Sequence, residues 1–551
     1  MNHGTARTDQ IRSRFEAEGV RVVSVTERAF PGEIIFIVEV RDHYDEAIAL
    51  ASKIDCEIEG GFITVRKATE SAPSTARRVS GVRDEQITGL IELMDARSRT
   101  SEAQPSLNYV ADVAGRLAAA RARRHHVVFG RRGVGKTALL LEAKRLIEAA
   151  GEQALWLNLQ SLRGLDTSAT FLTFASRLCD LMIANFLGFP APPASLNIAK
   201  DLRGECARLL GSASLSLARV LPMVPQLQQL VRQYCEETQL ALFLFFDDAH
   251  YISRSELPQF LDMVHGVTRD NPVFIKAAGI KHQMRWFVVD PPTGLQIGHD
   301  ATSIDLDVTL QEPDKAKTFL LSILDAYIAH VRATPRSAFL SAEAIDRLVL
   351  ASGGVPRDFM LLCAASIKQA RERLNARAAG VQDVNNAAGQ AAATKLRELE
   401  DDAASERESA RTLLASLDYV RSFLLTERQV TFMRVDFTDK EHFPREYGLL
   451  QSLMDLRMLH LVHSSISDEH QAGRRFEVYV LDLSQYSGAR FKQNLLVLDF
   501  QNTSLVLKRT RSKVEPRIGN TPNALLGLLR RGPVLELAPL AARLEGLDRT
   551  R

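Results

Sequence analysis

The sequence predicts an α/β protein centred on a parallel β-sheet wrapped by helices, with a small α/β domain in front and a helix–hairpin module behind. Three observations predict it. Helical and strand patterns alternate from about Leu107 to Gly389. A glycine-rich run, Gly130-Arg131-Arg132-Gly133-Val134-Gly135-Lys136-Thr137, lies between the apolar strand HHVVF and the helix-forming ALLLEAKRLIEAA. A continuous apolar run, LALFLFF, has the pattern of a strand buried on both faces and ends on Asp247 and Asp248.

Composition bounds the answer. The 551 residues suffice for several domains of about 100–200 residues each. With 46% hydrophobic and 25% charged residues, a wholly disordered chain is excluded. Lys plus Arg number 69 and Asp plus Glu 67, a net +2, so no global charge points to nucleic acid. The five cysteines (Cys56, Cys179, Cys206, Cys235 and Cys363) are scattered without a C-x-x-C, against a disulfide framework or a zinc site. His125-His126 is no shared ligand pair, because neighbours on a strand point to opposite faces. MNHGTARTDQIRSRFEAEG has no apolar stretch, and the apolar run before Asp247 is too short to span a bilayer. The expectation is a cytoplasmic protein with no membrane partner.

Taken in order, residues 1–70 read as a small α/β adaptor. A helix over Asp9–Glu18 leads to the strands VRVVSV and EIIFIVEV around Phe30-Pro31-Gly32, then to HYDEAIALASKI as a helix and GFITVRK as a last strand. It carries no cluster of catalytic residue types, and its reading is docking to a protein partner or oligomerisation. Residues 71–106 form a Pro/Gly/Ser-containing linker and a connecting helix from Gln86 to Arg97. The core spans 107–310. QALWLNLQSL, NPVFIKAAGIK and ATSIDLDVTL read as further strands, and helices over 168–187 and 223–237 cover the sheet. A helical segment over 311–389 opens with Pro313 and closes with ASGGVPRDFMLLCAASIKQA. A charged connector helix over 390–416, a module over 417–486 and a basic tail over 487–551 complete the chain. The tail has 12 Lys/Arg against 5 Asp/Glu, hence +7.

The chemistry lies at 130–137, which satisfies G-x-x-x-x-G-K-[ST] in full. Glycines let backbone N–H groups turn inward around phosphates, and the following helix adds its positive N-terminal end. Gly130, Gly133, Val134, Gly135, Lys136, Thr137 and Ala138 are the nucleotide-binding candidates. Lys136 reaches the β- and γ-phosphates, and the Thr137 hydroxyl is a ligand for Mg²⁺. Asp247, at the carboxyl end of its strand, is the second Mg²⁺ ligand, and Asp248 is placed to polarise an attacking water. The reading is a P-loop NTPase sheet that binds ATP and Mg²⁺.

From about Leu107 to Gly389 the chain resembles the AAA+ ATPases, most of all the branch of origin-recognition initiators and the related signal-transducing (STAND) NTPases. The carriers are the P-loop, FLFFDDAH and GGVPRDF. The resemblance implies that 311–389 is a helical lid and that Arg357 is presented to the γ-phosphate. It also implies ATP hydrolysis at the interfaces of a homo-oligomer, with Arg285 or Arg269 as the arginine offered to a neighbour. Two departures stand. Asp248 replaces the usual Glu, and Lys281 or His282 must stand in for the polar residue expected after AAGI. Slow turnover, with the nucleotide acting as a switch, is implied.

The C-terminal order SFLLTERQVTFMRVDF, REYGLLQSLMDLRMLHLVHSSI and GRRFEVYVLDLSQY, read as helix–helix–hairpin, resembles a winged-helix module. Leu449, Leu450, Leu453, Leu456 and Leu459 mark its amphipathic helix. Arg474-Arg475 falls at the wing tip, where phosphate contacts are made. Such modules bind either double-stranded DNA or proteins, and the acidic residues around this one leave both open. Lys508, Arg509, Arg511 and Lys513 in the tail form the better phosphate patch. The expected function is a DNA-associated ATPase of the replication, transposition, mobile-element or defence kind. The alternative is a nucleotide-dependent switch in antiphage defence, triggered by a protein ligand.

Overall fold

The structure is a computed structural model that describes residues 3–30, 33–40, 43–55, 61–67, 77–97, 109, 115–186, 193–403, 407–471, 473–487, 495–501, 504–509, 517–519 and 522–549. The chain divides into two units, 1–77 and 78–551. In the first, α1 (His3–Ala17) and α2 (Tyr44–Ile54) accompany a three-stranded sheet of β1 (Val22–Phe30), β2 (Glu33–Val40) and β3 (Gly61–Lys67). β1 and β2 are antiparallel and β2 and β3 parallel, α2 forming the crossover. Phe15, Phe36, Val38 and Ala47 close its core.

The second unit opens with α3 (Glu85–Ala96) and continues into β4 (His126–Phe129), α4 (Lys136–Ala149), β5 (Gln153–Asn158), α5 (Thr167–Phe186), α6 (Ala194–Leu210) and α7 (Met223–Thr238). β6 (Leu242–Asp247), α8 (Leu257–Thr268), β7 (Val273–Gly279) and β8 (Thr302–Asp305) complete an α/β sandwich. The sheet order is β8-β4-β7-β6-β5, parallel throughout. β6 is buried along its whole length, as a strand covered on both faces must be. Its alternation sends Leu242, Leu244 and Phe246 into one core layer and Phe243 and Phe245 into the other. In the first layer Phe246 packs at 5.6 Å from both Phe174 and Phe260. This order places β7 between β4 and β6, with the carboxyl ends of all three at one edge.

A helical subdomain follows, made of α9 (Pro313–Val331), α10 (Ala342–Ser352), α11 (Pro356–Glu372) and α12 (Val381–Ala403). α12 starts inside the expected lid and runs through the expected connector, where α13 (Arg407–Arg421) then begins. The C-terminal module has β9 (Phe432–Asp436), a short helix Phe437–His442, α14 (Pro444–Asp455), β10 (Leu459–Ser467) and β11 (Arg475–Leu481), in the sheet order β9-β11-β10. The stretch 422–437, expected as one helix, is helical only over Ser422–Glu427 and then becomes β9. The β-branched and aromatic residues of VTFMRV favour a strand once β11 offers a partner.

The described residues of 487–551, expected as a basic tail, carry regular structure. β12 (Leu496–Gln501), β13 (Ser504–Arg509) and β14 (Arg517–Gly519) form an antiparallel sheet, followed by α15 (Pro522–Arg530) and α16 (Ala538–Arg549). Leu498, Phe500, Leu505 and Leu507 join the same core as α3, the helical subdomain and the C-terminal module. Asp499 holds both Arg347 of α10, at 3.1 Å, and Lys508. Lys508 is therefore engaged within the fold. Arg509 ends β13, and Arg511 and Lys513 lie outside the described residues.

Phe246→Ala removes a fully buried ring shared by two aromatic contacts. It should lower unfolding stability by about 3–5 kcal/mol in a urea titration; a loss under about 1 kcal/mol would contradict this packing.

Candidate functional site

β4 delivers the glycine-rich loop to the carboxyl edge of the sheet. Gly133 (φ 80°) and Gly135 (φ 104°) adopt left-handed backbone that other residues resist, and Gly135 leads directly into α4. A Cβ on Gly135 would meet nothing within 4 Å, so its backbone conformation rather than crowding calls for glycine there. At Gly133 a Cβ would lie 2.7 Å from the Cβ of Arg357, the second residue of α11. The Arg357 N–H donates to the Gly133 carbonyl at 3.2 Å. The helical subdomain thus touches the loop at the arginine singled out in GGVPRDF.

Lys136 is buried, and its Nζ donates to the carbonyls of Gly130 (2.8 Å) and Arg131 (3.1 Å). Burial lowers its pKa, against the upward pull of Asp248, Asp307 and Asp247. The Thr137 hydroxyl donates to Asp247 Oδ2 at 2.7 Å, across the end of the intervening β7. Asp247 Oδ1 is buried with no hydrogen-bond partner. Burial, and then Asp248, push the Asp247 carboxyl up to about 6. The Thr137 hydroxyl and the Asp247 carboxylate, one of whose oxygens is orphaned, are hard donors of the kind Mg²⁺ takes, and its charge would reverse this unfavourable burial. The donor set fits that ion.

Asp248 has a left-handed backbone (φ 56°) and sits 3.9 Å from Nδ1 of His250. Its pKa is raised by burial and drawn back by Lys136 and Arg132. Burial also holds His250 well below its ordinary value, so the ring is neutral. Lys281 and His282 form the turn that follows β7, and Arg285 is exposed just beyond. Arg269 precedes β7, at the opposite edge of the sheet from the loop. That position removes it from the phosphate end of its own chain. Arg474 is bound to Asp436 and packs on the Phe476 ring at 5.1 Å, so its charge is compensated inside the module.

Four residues that the sequence reading did not single out, Asp307, Asp455, His460 and Asp482, gather around Arg131 of the loop. Arg131, 2% exposed, donates through Nε to Asp307 at 3.1 Å and through Nη2 to the carbonyls of Val308 (3.1 Å) and Gly353 (3.0 Å). Its Nη1 faces Nδ1 of His460, on β10, at 3.3 Å. A guanidinium only donates, so Nδ1 accepts and Nε2–H donates to Asp482 at 2.7 Å. Asp455, at the end of α14, is also buried; burial and Asp307 push its carboxyl up to about 8, against Arg131, Lys136 and Arg132. Asp307 lay in the visible run IDLD. Nothing local marks Asp455 or His460, which reach the loop only through tertiary packing.

No protein family and no curated protein matches the chain in sequence. Among solved structures it is similar to the Aeropyrum pernix Orc1 protein in complex with DNA, with 13% identity over 75% of this chain and 92% of that one and a TM-score of 0.32. It is similar to AMPPCP-bound DnaA from Aquifex aeolicus, with 11% identity over 63% and 95% of the two chains and a TM-score of 0.28. For Thermotoga maritima RuvB the identity is 14% over 49% and 64%, with a TM-score of 0.24. Likenesses this distant leave the reading of the site to its own residues.

Asp455 carries a pH signature. Its folded pKa of about 8 lies above the ordinary 3.8, so the native state binds the proton more tightly than the unfolded chain. The resulting stability is fully present below the unfolded value and is lost as pH rises through the folded one. Asp455→Asn should therefore gain stability over the wild type above about pH 4, the gap widening until about pH 8. Urea unfolding of both proteins at about pH 5 and about pH 8.5 checks this; an equal gap at the two values would refute it.

Proposed function

We propose that this protein is an ATP-binding and ATP-hydrolysing P-loop ATPase of the AAA+/STAND-like kind. The observation that carries the reading is the convergence of Lys136, Thr137 and Asp247 at the carboxyl edge of the sheet, with one oxygen of Asp247 orphaned. The backbone of Gly130 to Ala138 binds the phosphates, and Lys136 exchanges its two carbonyl partners for β- and γ-phosphate oxygens. Thr137 and Asp247 hold Mg²⁺, which supplies charge neutralisation at the phosphates. Asp248, one residue beyond the strand, orients and polarises the attacking water. Arg357, carried by the lid helix, adds positive charge at the γ-phosphate. Arg285, exposed after β7, is the arginine offered to a neighbouring subunit of a homo-oligomer.

Two outputs follow from the domains. One is a DNA-associated ATPase, with the C-terminal module as a winged helix on double-stranded DNA. The other is a nucleotide-dependent switch in antiphage defence, for which residues 1–70 supply the docking domain for a protein ligand. Compensation of Arg474 by Asp436, and engagement of Lys508 by Asp499, favour the switch.

Lys136→Ala should abolish ATP binding in a calorimetric titration; normal affinity in that variant would remove the P-loop reading. Asp248→Asn should keep ATP affinity within a few-fold while hydrolysis falls about 10²-fold, measured as phosphate release. Duplex DNA should leave the wild-type hydrolysis rate unchanged if the switch is the output. A several-fold stimulation that fades with added salt would favour the DNA-associated ATPase.

A further inference from the structure

Asp248 follows β6 in the left-handed backbone that aspartate tolerates, and a single helical turn, Ala249–Tyr251, comes next. This reversal brings the side chain of His250 back beside Asp248, with Nδ1 3.9 Å from Oδ1. The imidazole is 5% exposed and stacks at 4.5 Å on the Tyr251 ring. The turn sits against the end of β7: a Cβ on Gly279 would lie 2.1 Å from Sδ of Met284 and 3.5 Å from the His250 N. In this packed place Nδ1 of His250 is buried and makes no hydrogen bond.

Two orphaned atoms thus flank the end of β6, Oδ1 of Asp247 and Nδ1 of His250. A buried polar atom without a partner is costly, so each calls for an occupant. Mg²⁺ takes oxygen donors, which suits Asp247 and not a ring nitrogen. For His250 the geometry specifies something else. A separation of 3.9 Å from Asp248 is too long for a direct hydrogen bond, and it is a span that one water bridges. Burial, and then Lys136 and Arg132, keep the imidazole neutral, and a neutral imidazole has one accepting nitrogen. The same two cations act on Asp248, so both acceptors lie toward the phosphate loop. Asp248 is 26% exposed, which admits a water from solvent, while the buried ring closes the inner side.

We propose that His250 is a second catalytic residue, and that its Nδ1 and Oδ1 of Asp248 together accept the two hydrogens of the water that attacks the γ-phosphate. The inference rests on reading the loop as an ATP site. Held by both hydrogens, the water keeps a lone pair free for the phosphorus. Its oxygen bonds to the γ-phosphorus as the bond from that phosphorus to the β–γ bridging oxygen breaks. One proton of the water passes to Nδ1 of His250 and on to solvent, and ADP and phosphate leave.

The test is steady-state phosphate release by the full-length protein, with ATP affinity measured beside it by calorimetric titration. His250→Phe should bind ATP within about threefold of the wild type and lose about 10²-fold in kcat, with KM little changed. His250→Asn sets an oxygen near the place of Nδ1, and His250→Gln sets one near that of Nε2. The Asn variant should therefore turn over about tenfold faster than the Gln variant. Asp248→Asn combined with His250→Phe should be within about twofold of the slower single variant, because both changes release the same water. A wild-type rate in His250→Phe, equal rates in the Asn and Gln variants, or losses that multiply in the double variant would each overturn the shared water. If His250→Phe does not fold, the Asn and Gln pair decides. A wild type that binds ATP without releasing phosphate would sink this inference and leave the phosphate-loop reading standing. A wild type that does not bind ATP would sink both.

Discussion

The second unit depends on the placement of one guanidinium. Arg131 occupies a position in the glycine-rich loop where the motif specifies no residue, and it is almost wholly buried. A permanently charged group in that position is tolerated only when its donors are met, and they are met by Asp307, two carbonyls and a histidine. Those partners come from the end of β8, the turn before α11 and the C-terminal module. The need to satisfy one side chain therefore brings together segments more than 300 residues apart in sequence.

The same requirement explains why Gly353-Gly354 precedes Val355-Pro356-Arg357. The αL turn at Gly353 ends α10 and turns its carbonyl toward Arg131, with no side chain to block His460. Pro356 then starts α11, where its missing N–H costs nothing. Arg357 arrives at Gly133 as a result. The sequence motif and the close approach are two descriptions of one packing constraint.

Much of this was legible beforehand. The glycine-rich loop, the apolar strand ending in Asp247 and Asp248, and the GGVPRDF turn each carry a local pattern with a physical cause, and the structure brings the three together. The order of the strands was not legible, because periodicity identifies a strand without naming its neighbours. The segment after residue 487 was misread for a related reason. Leu496–Gln501 and Ser504–Arg509 alternate as strands, but the nearby run of lysines and arginines drew the reading toward a phosphate patch on a tail, whereas Asp499 takes up Lys508. Asp455 and His460 lie on ordinary amphipathic elements, and only the fold gives their polar atoms a destination.

The sheet order also bears on how the protein is made. β4 emerges first of the five strands, yet its neighbours are β7 and β8, which follow about 150 residues later. β5, β6 and β7 pair with one another and can assemble while β4 waits. On a growing chain the loop strand is thus among the last to be inserted, and contacts so distant in sequence are slow to form. Arg131 waits longer still, since His460 and Asp482 are synthesised after the rest of the sheet. A chain halted before β10 would carry a complete sheet around a guanidinium that lacks part of its shell. Until synthesis passes that point, the loop's guanidinium lacks its full set of acceptors.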